Sequence, residues 1–195
     1  MATDRTFCRF NRQAETKSFG MPEPPEGGLC LSAFLVVTDE RNPNSVLMGR
    51  LNTKAPWDHI GVLDSSGVEV HSKGWMLPSS HLLVYESPQE AAQRILREQL
   101  ELDLTLSGPD VVSETYTPKR FPDLPRHWDI EFIFKGKLSE DRIPKPYAWS
   151  KLAFVNLDVA MKSEIARSHE DILEHAGFVF KHSRRASNRG CHVHY

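Results

Sequence analysis

The sequence predicts a single layered α/β domain, and three observations support this prediction. The 195 residues are 39% hydrophobic and 26% charged, which is the balance of an ordinary globular protein. Runs of apolar and β-branched residues alternate with polar turns, as short strands do. Two further segments have apolar residues at three- and four-residue spacing, as amphipathic helices do. Strands interleaved with helices favour a sheet covered by helices.

The composition also excludes several classes of protein. There is no run of about 18 apolar residues, and the start lacks the apolar core of a signal peptide. We therefore expect a cytoplasmic protein that is neither secreted nor inserted in a membrane. The three scattered cysteines, Cys8, Cys30 and Cys191, fit free thiols in that compartment. The formal net charge of −2 combines an acidic body with a basic end.

Three parts are predicted along the chain. Residues 1–28 form an N-terminal arm, because the proline- and glycine-rich stretch 22–28 cannot be a regular helix or a central strand. Residues 29–180 form the domain. Residues 181–195 form a basic C-terminal tail with four basic residues, no acid and a Cys/His cluster for which an ordinary polar tail is the favoured interpretation.

Strands are predicted wherever β-branched and apolar residues run or alternate with polar ones. They cover residues 29–37, 45–50, 102–106, 111–117, 127–138 and 152–157. The first two are expected to pair. Residues 51–78 are too punctuated by turns for a long element, so we expect loops with short strands there, one of them over residues 68–70.

The clearest helix is predicted over residues 87–101. Ser87 is a favourable N-cap, Pro88 fits the first helical position, and Glu90 completes a capping box. One face of this helix is apolar and the neighbouring face is charged. A second amphipathic helix is predicted over residues 162–176, stopped by Gly177.

Residues 80–102 carry the pattern with the most functional information, which resembles the Nudix box. Five of the nine defined positions of that motif are kept in phase, and they are Glu86, Arg94, Leu96, Glu98 and Leu102. The other four positions hold Ser80 and Glu101 in place of the two glycines and Ile95 and Gln99 in place of two glutamates. The segments Trp75-Met-Leu-Pro78, 128–134 and 168–178 also look like parts of a Nudix domain.

This resemblance implies a Nudix-like α/β/α sandwich with a mixed central sheet, in which residues 87–101 are the Nudix helix. It also implies a relationship to hydrolases of nucleoside diphosphates linked to another moiety, which use Mg²⁺ or Mn²⁺ held by three glutamates. The corresponding positions are i, i+3 and i+4 on one helix face. They hold Ile95, Glu98 and Gln99, so one carboxylate of three remains. We therefore expect weak or absent hydrolase activity, and either one of these metals or no cofactor.

Candidate site residues follow from the same resemblance. Glu86, Arg94 and Glu98 are the catalytic candidates, although the first two tend in that family to form a salt bridge that shapes the loop entering the helix. Glu98 is also the candidate metal ligand, with Asp129 or Glu131 as an added acid from outside the box. For those two, the solvated face of an alternating strand is the favoured alternative.

Aromatic and basic residues outside the box are candidate ligand contacts, because aromatic rings stack on bases and arginine pairs with phosphates. They are Trp57, Arg120, Phe121, Arg126 and Trp128. Core or rim packing is the alternative for the large aromatic residues. Two functions thus remain open: a weakened Nudix hydrolase, and a non-catalytic module that binds a nucleotide-like small molecule or RNA on a Nudix scaffold.

Overall fold

The computed structural model describes residues 9–10, 29–61, 68–69, 71–83, 85–115, 127–160, 164–166 and 169–180. The strands are β1 (Arg9–Phe10), β2 (Leu29–Asp39), β3 (Ser45–Leu51), β4 (Ser79–His81), β5 (Ser107–Thr115), β6 (Trp128–Leu138) and β7 (Trp149–Asn156). The helices are α1 (Trp57–Ile60), α2 (Pro88–Ile95), a π-helix (Leu96–Leu100), a short 3-10 helix (Glu140–Arg142) and α3 (His169–His175). The rest of the predicted arm and the whole predicted tail lie outside these residues.

A seven-stranded mixed sheet is organised around β2, and its main strand order is β5-β6-β2-β3-β7. β6 runs parallel to β2 in unbroken register from Leu29 opposite Trp128 to Asp39 opposite Leu138. The other edge of β2 is shared by three segments: β1 at residues 29–30, β4 at residues 32–34 and β3 at residue 38. The predicted α/β class, the mixed sheet and the pairing of the first two predicted strands are confirmed.

Apolar side chains cover both faces of the sheet. On one face, Ala33 and Leu35 of β2 share a core with Ile95 of α2. On the other face, Phe34 of β2 packs in a second core with Ile172 of α3. Successive residues of β2 thus point into different cores, as the pleat of a strand requires. A helix on each face gives the predicted sandwich.

The helix that begins at Pro88 starts as its sequence predicts. The Ser87 hydroxyl accepts a hydrogen bond from the Glu90 N–H at 3.3 Å, and Glu90 Oε2 accepts one from the Ser87 N–H at 2.8 Å. After Ile95 the helix continues as a π-helical turn, and the helix ends at Glu101, which has a φ of 52°. The predicted extent of 87–101 is confirmed, but its last third is π-helical.

The predicted strand over residues 102–106 is wrong. Leu102, Leu104 and Leu106 alternate with exposed residues and pack against the core, yet no strand forms before Ser107. Leu104 packs against β6 at Gly136, so closely that a Cβ added to this glycine would lie only 2.9 Å from Leu104 Cδ2. The alternation therefore reflects side-chain burial without a hydrogen-bonded ladder.

Two other segments also differ from expectation. The predicted short strand over 68–70 is wrong, because residues 68 and 69 are helical, and residue 70 lies outside the described part. The predicted helix over 162–176 is shorter than expected: Ile165 forms a parallel bridge with Trp75, and α3 occupies His169–His175. Within the described residues, no helix has the length and apolar character needed to cross a membrane.

Candidate functional site

Glu86 and Arg94 form a nearly buried, bidentate salt bridge at the start of the candidate site. Arg94 Nε donates to Glu86 Oε1 at 2.7 Å, and Arg94 Nη2 donates to Oε2 at 2.9 Å. The two side chains are 5% and 10% exposed. Paired hydrogen bonds of this kind fix direction as well as distance. The pair joins α2 to the loop that precedes it.

The same guanidinium fastens the rest of that loop. Arg94 Nη1 donates to Ser80 Oγ at 3.2 Å, and Nη2 donates to the His81 carbonyl at 2.9 Å. Glu86 Oε2 in turn accepts the Leu83 N–H at 2.8 Å. Ser80, which stands where the Nudix box has its first glycine, is thus an added member of this network. The network explains the loop's shape without involving a ligand.

Ile95 stands at the first of the three positions for which the resemblance implies metal ligands, and it is completely buried. It belongs to the core on the α2 face, together with Ala33, Leu35 and Leu96. An alkyl side chain has no lone pair to offer a cation, and here it is enclosed by other apolar side chains. Position 95 is therefore part of the core.

Gln99 occupies the third of these positions, and its buried amide is fully engaged with the protein. Its Oε1 accepts the Ser79 N–H at 3.2 Å. Its Nε2 donates to the Ser79 carbonyl at 2.7 Å and to the Ile60 carbonyl at 3.0 Å. The side chain is 0% exposed. Gln99 thus connects the π-helical turn to both β4 and α1.

The backbone of the π-helical turn has its own partners outside the helix. The Gln99 carbonyl accepts the indole N–H of Trp149 at 2.8 Å. The Leu96 carbonyl accepts the N–H groups of Glu101 and Leu102. Glu101 stands at the second glycine position of the box and adopts a left-handed conformation, which glycine adopts without strain. A non-glycine residue thus holds the left-handed turn that ends this helix.

Glu98 is the one carboxylate at the three metal-ligand positions, and it is half-buried. Within the described residues, no group of three or more His, Cys, Asp and Glu side chains is placed to hold a metal ion. Magnesium is usually held by one or two carboxylates together with substrate phosphates. With an alkyl group at 95 and an engaged amide at 99, this donor set does not fit the three-glutamate metal centre that the resemblance implies.

Asp129 and Glu131 lie on the sheet face opposite α2. In the register between β2 and β6, Glu131 stands opposite Ser32, whereas Phe132 stands opposite Ala33 on the α2 side. The structure therefore does not bring either acid to the face that α2 covers. The expected solvated position of Glu131 is wrong, since the residue is only 6% exposed. Asp129 lies 3.4 Å from His127, measured from Oδ1 to Nε2.

The five predicted ligand contacts fall into three groups. Trp57 is 1% exposed and meets Trp149 edge-on with ring centres 5.0 Å apart, so it is a core residue and its placement in a ligand pocket is corrected. Trp128 is 57% exposed at the start of β6 and stays a candidate. The remaining three, Arg120, Phe121 and Arg126, lie outside the described residues.

A polar cluster on the far face of the sheet was missed from the sequence. Cys30 Sγ lies 3.0 Å from His81 Nδ1, although 51 positions separate the two residues. Cys30 is in β2 and His81 is in β4, on the same face as Glu131. The available signal was the polar Cys30 and Ser32 at every second position of an otherwise apolar strand.

Comparisons with known proteins agree with this architecture. No family model and no curated protein matches the sequence. Among solved structures, a mutT/nudix family protein from Listeria innocua is 20% identical, with a TM-score of 0.52 over 79% of this chain and 93% of that chain. The NUDIX domain of Shewanella oneidensis NrtR, complexed with ADP ribose, is 14% identical, with a TM-score of 0.52 over 86% and 91%.

A third similar structure is the MutT protein from Methanosarcina mazei Go1. It is 16% identical, with a TM-score of 0.50 over 77% of this chain and 93% of that chain. At such identities the likeness concerns the fold. The predicted Nudix-like sandwich is thereby confirmed, and the chain has the Nudix fold.

Proposed function

We propose that this protein is a binding module on a Nudix scaffold that takes a nucleotide-like ligand, and that its pyrophosphohydrolase activity is weak or absent. One observation carries the proposal. Two of the three positions that hold metal in the motif it resembles, Ile95 and Gln99, are fully buried and committed to the core.

The first reason concerns charge at position 95. In metal-dependent hydrolysis, the cation neutralises the diphosphate and lowers the pKa of the attacking water. That cation is held by anionic oxygens close to the scissile bond. Ile95 removes one of these charges and fills its place with packed hydrocarbon. Of the three positions, only Glu98 then offers a carboxylate to a hard divalent cation.

The second reason concerns the hydrogen bonds of Gln99. A primary amide has two N–H donors and one carbonyl oxygen, and all three groups are used here by Ser79 and Ile60. Turning the oxygen toward a cation would break these bonds in a buried site. Each buried polar group left without a partner costs about 1–3 kcal/mol. The Gln99 amide therefore has a structural role, which is to join the π-helical turn to Ser79 and Ile60.

What the motif keeps is its architecture. Glu86, Arg94 and Ser80 hold the loop before α2, and Glu101 keeps the turn after the helix. A scaffold maintained in this way remains able to bind a ligand after hydrolysis is lost. The ligand class is suggested by the NUDIX domain of NrtR, which has a similar fold and is complexed with ADP ribose.

Calorimetric titration with ADP-ribose tests the proposal. We expect saturable binding in buffer with a chelator, since no metal is needed to complete the site. Chromatography of the same mixtures with Mg²⁺ or Mn²⁺ should show the nucleotide intact. The variant Glu98→Gln should bind as the unaltered protein does, with Arg97→Gln on the exposed face of the same helix as the matched control.

Two results would contradict the proposal. Metal-dependent turnover that disappears in Glu98→Gln would show an ordinary hydrolase with a reduced ligand set. A panel of dinucleotides, nucleotide sugars, nucleoside triphosphates and short RNA completes the test. Failure to bind any nucleotide, or affinity for RNA alone, would exclude a small nucleotide as the ligand.

A further inference from the structure

The sheet face opposite α2 carries a cluster of polar and ionisable side chains that the Nudix box does not use. In the β2–β4 and β2–β6 registers, Ser32 stands opposite His81 on one side and opposite Glu131 on the other. Cys30, two residues before Ser32, stands opposite Asp129. Farther along β2 the same face becomes apolar at Phe34. The cluster therefore occupies the amino-terminal half of the strand.

The central contact of the cluster joins a thiol to an imidazole. Cys30 Sγ lies 3.0 Å from His81 Nδ1 and 4.0 Å from Nε2, so Nδ1 is the hydrogen-bonding nitrogen. Ser32 Oγ lies 3.5 Å from the same sulfur. A nucleophile within hydrogen-bond reach of a base is the arrangement that activates cysteine thiols. Proton transfer from Sγ to Nδ1 gives a thiolate beside an imidazolium.

The surroundings of the pair hold the base in place and add charge on the same face. Asp129 and Glu131 lie on β6, on the side of β2 away from His81, so their charges favour an imidazolium at His81 but oppose a thiolate at Cys30, and the 3.0 Å contact with His81 is what favours the thiolate. The carbonyl of His81 accepts hydrogen bonds from Arg94 Nη2 at 2.9 Å and from Ser80 Oγ at 3.1 Å. The backbone that carries the base is thereby held in place, and the distance from Sγ to Nδ1 is maintained.

We propose that Cys30 is an oxidation site, a thiol that His81 activates toward hydrogen peroxide. The thiolate sulfur attacks one oxygen of the peroxide, a sulfur–oxygen bond forms and the oxygen–oxygen bond breaks. The leaving hydroxide takes the proton from the His81 imidazolium and departs as water. Cys30 loses two electrons and becomes a sulfenic acid, while the peroxide is reduced.

The exposure of Cys30 agrees with a small reagent. The residue is 6% exposed, so the sulfur is not open to large electrophiles or to another protein. Hydrogen peroxide has two heavy atoms and resembles water in size and polarity. The site thus discriminates by size.

The test uses the full chain, reduced and then treated with hydrogen peroxide for timed intervals. The peroxide is removed with catalase, and the chain is then unfolded in the presence of a dimedone-type reagent that traps sulfenic acids, because the folded chain keeps so large a reagent away from Cys30. Mass spectrometry of peptides follows each of the three cysteines separately. An ordinary thiol is a few per cent thiolate at pH 7, so full ionisation offers at most about thirtyfold, reduced by the weaker nucleophilicity of a stabilised thiolate. We expect Cys30 to react about tenfold faster than N-acetylcysteine under the same conditions.

The base is tested by His81→Asn, whose side-chain nitrogen can stand near Nδ1 but cannot take a proton. The rate at Cys30 should fall to that of a simple thiol and should rise with pH, whereas in the unaltered protein it should change little between pH 7 and 8.5. His59→Asn, in α1, is the matched control and should have no effect. His81→Gln repeats the test if thermal melting shows that the first variant is unfolded.

Two outcomes would overturn the proposal. Cys30 could react no faster than N-acetylcysteine, although it is alkylated normally after unfolding in denaturant. Alternatively, the rate could be unchanged in folded His81→Asn and His81→Gln. Neither result depends on ADP-ribose binding, so failure here leaves the proposed function untouched.

Discussion

Gln99 and Ser79 exchange two hydrogen bonds, one in each direction, between a side-chain amide and a backbone peptide. The Ser79 N–H donates to Gln99 Oε1 at 3.2 Å, and Gln99 Nε2 donates to the Ser79 carbonyl at 2.7 Å. An amide that accepts from and donates to one residue bonds to it as a neighbouring strand would. Besides its register partner Phe34 in β2, the first residue of β4 therefore has a helix side chain as a hydrogen-bond partner.

This exchange makes Gln99→Glu a destabilising change. An ionised carboxylate would lose both donors and would face the carbonyl oxygens of Ser79 and Ile60 in the buried core. We expect a loss of about 3 kcal/mol in the free energy of unfolding at pH 7.5, measured by urea denaturation. Gln93→Glu, on the exposed side of α2, is the control and should change stability by less than about 0.5 kcal/mol.

The stability of Gln99→Glu should also depend on pH. A protonated carboxyl has one O–H to donate to a carbonyl, so acidification favours the folded form of Gln99→Glu. Its deficit relative to the unaltered protein should therefore be smaller at pH 5 than at pH 7.5. An equal deficit at both values would show that lost packing, and not the facing carbonyl oxygens, causes the effect.

Arg94→Ala removes the centre of the network that holds the loop before α2. The buried carboxylate of Glu86 would lose its charged partner, and such losses typically destabilise by about 3–5 kcal/mol. Arg94→Lys should recover only part of this, because an ammonium cannot make two parallel hydrogen bonds. Thermal and urea unfolding measure both variants against Arg97→Ala. If Lys restored full stability, the bidentate geometry would be irrelevant.

Ser87→Ala tests the start of α2. The variant loses the hydroxyl that caps the Glu90 N–H, and we expect about 1 kcal/mol less stability in urea unfolding.

Hydrogen bonds from the Ser87 backbone and side chain hold the pKa of the Glu90 carboxyl below its ordinary value of 4.5. The Glu90 contribution is therefore complete above pH 4.5 and is lost as the pH falls further. Glu90→Gln should approach the unaltered protein in stability at pH 3; a constant gap from pH 7 to pH 3 would contradict this.

The buried His169 should make the protein less stable in mild acid. Burial, and next the nearby His71, hold the pKa of His169 well below its ordinary value of 6.5, and its Nδ1 accepts the Leu77 N–H at 3.1 Å. Below pH 6.5 the His169 imidazole is protonated in the unfolded chain but stays neutral in the folded chain. The free energy of unfolding therefore falls as the pH falls. Between pH 7.5 and 5.5 we expect a loss of at most about 1.4 kcal/mol, the limit for a folded His169 that takes up no proton.

His169→Asn keeps an acceptor for Leu77 and cannot titrate. Urea unfolding at pH 7.5 and 5.5 should show a pH dependence smaller than that of the unaltered protein by the stated amount. His59→Asn, in α1, is the matched control and should retain the full dependence. An equal slope in His169→Asn would mean that other groups cause the acid sensitivity.

The start of α2 could be predicted because capping is local. Ser87, Pro88 and Glu90 each favour the same first turn, whatever surrounds them. The π-helical turn that follows could not be predicted. Its carbonyl groups are satisfied by distant partners, such as the Trp149 indole on the Gln99 carbonyl, and no local pattern records that contact.

Alternation gave one correct strand and one wrong one. Residues 127–138 alternate, and β6 forms there because β2 and β5 offer hydrogen bonds on both sides. Leu102, Leu104 and Leu106 alternate equally well but have no ladder, since periodicity reports which side chains are buried and not which peptides pair. Glu131 differs from expectation for a related reason, because a strand with one solvated face would expose this residue, whereas both faces of this sheet are covered.

The candidate site was predictable in its positions and less so in its chemistry. The resemblance to the Nudix box implied a salt bridge between Glu86 and Arg94, and the structure joins the two side chains at 2.7 Å. The hydrogen bonds of Gln99 were not predictable, because Ser79 and Ile60 contribute backbone groups that any residue has. Nor was the contact between Cys30 and His81, which depends on strand register.

The edge of β2 that three separate segments share has a consequence for local opening. The Leu35 amide donates to the Pro78 carbonyl just before β4, whereas residues 29–30 face β1 and residue 38 faces β3. Deuterium uptake at these amides therefore need not be uniform along one strand. Exchange at Leu35 reports on release of the segment that enters the Nudix-box loop, so a single backbone position in the centre of the sheet records how often that loop detaches.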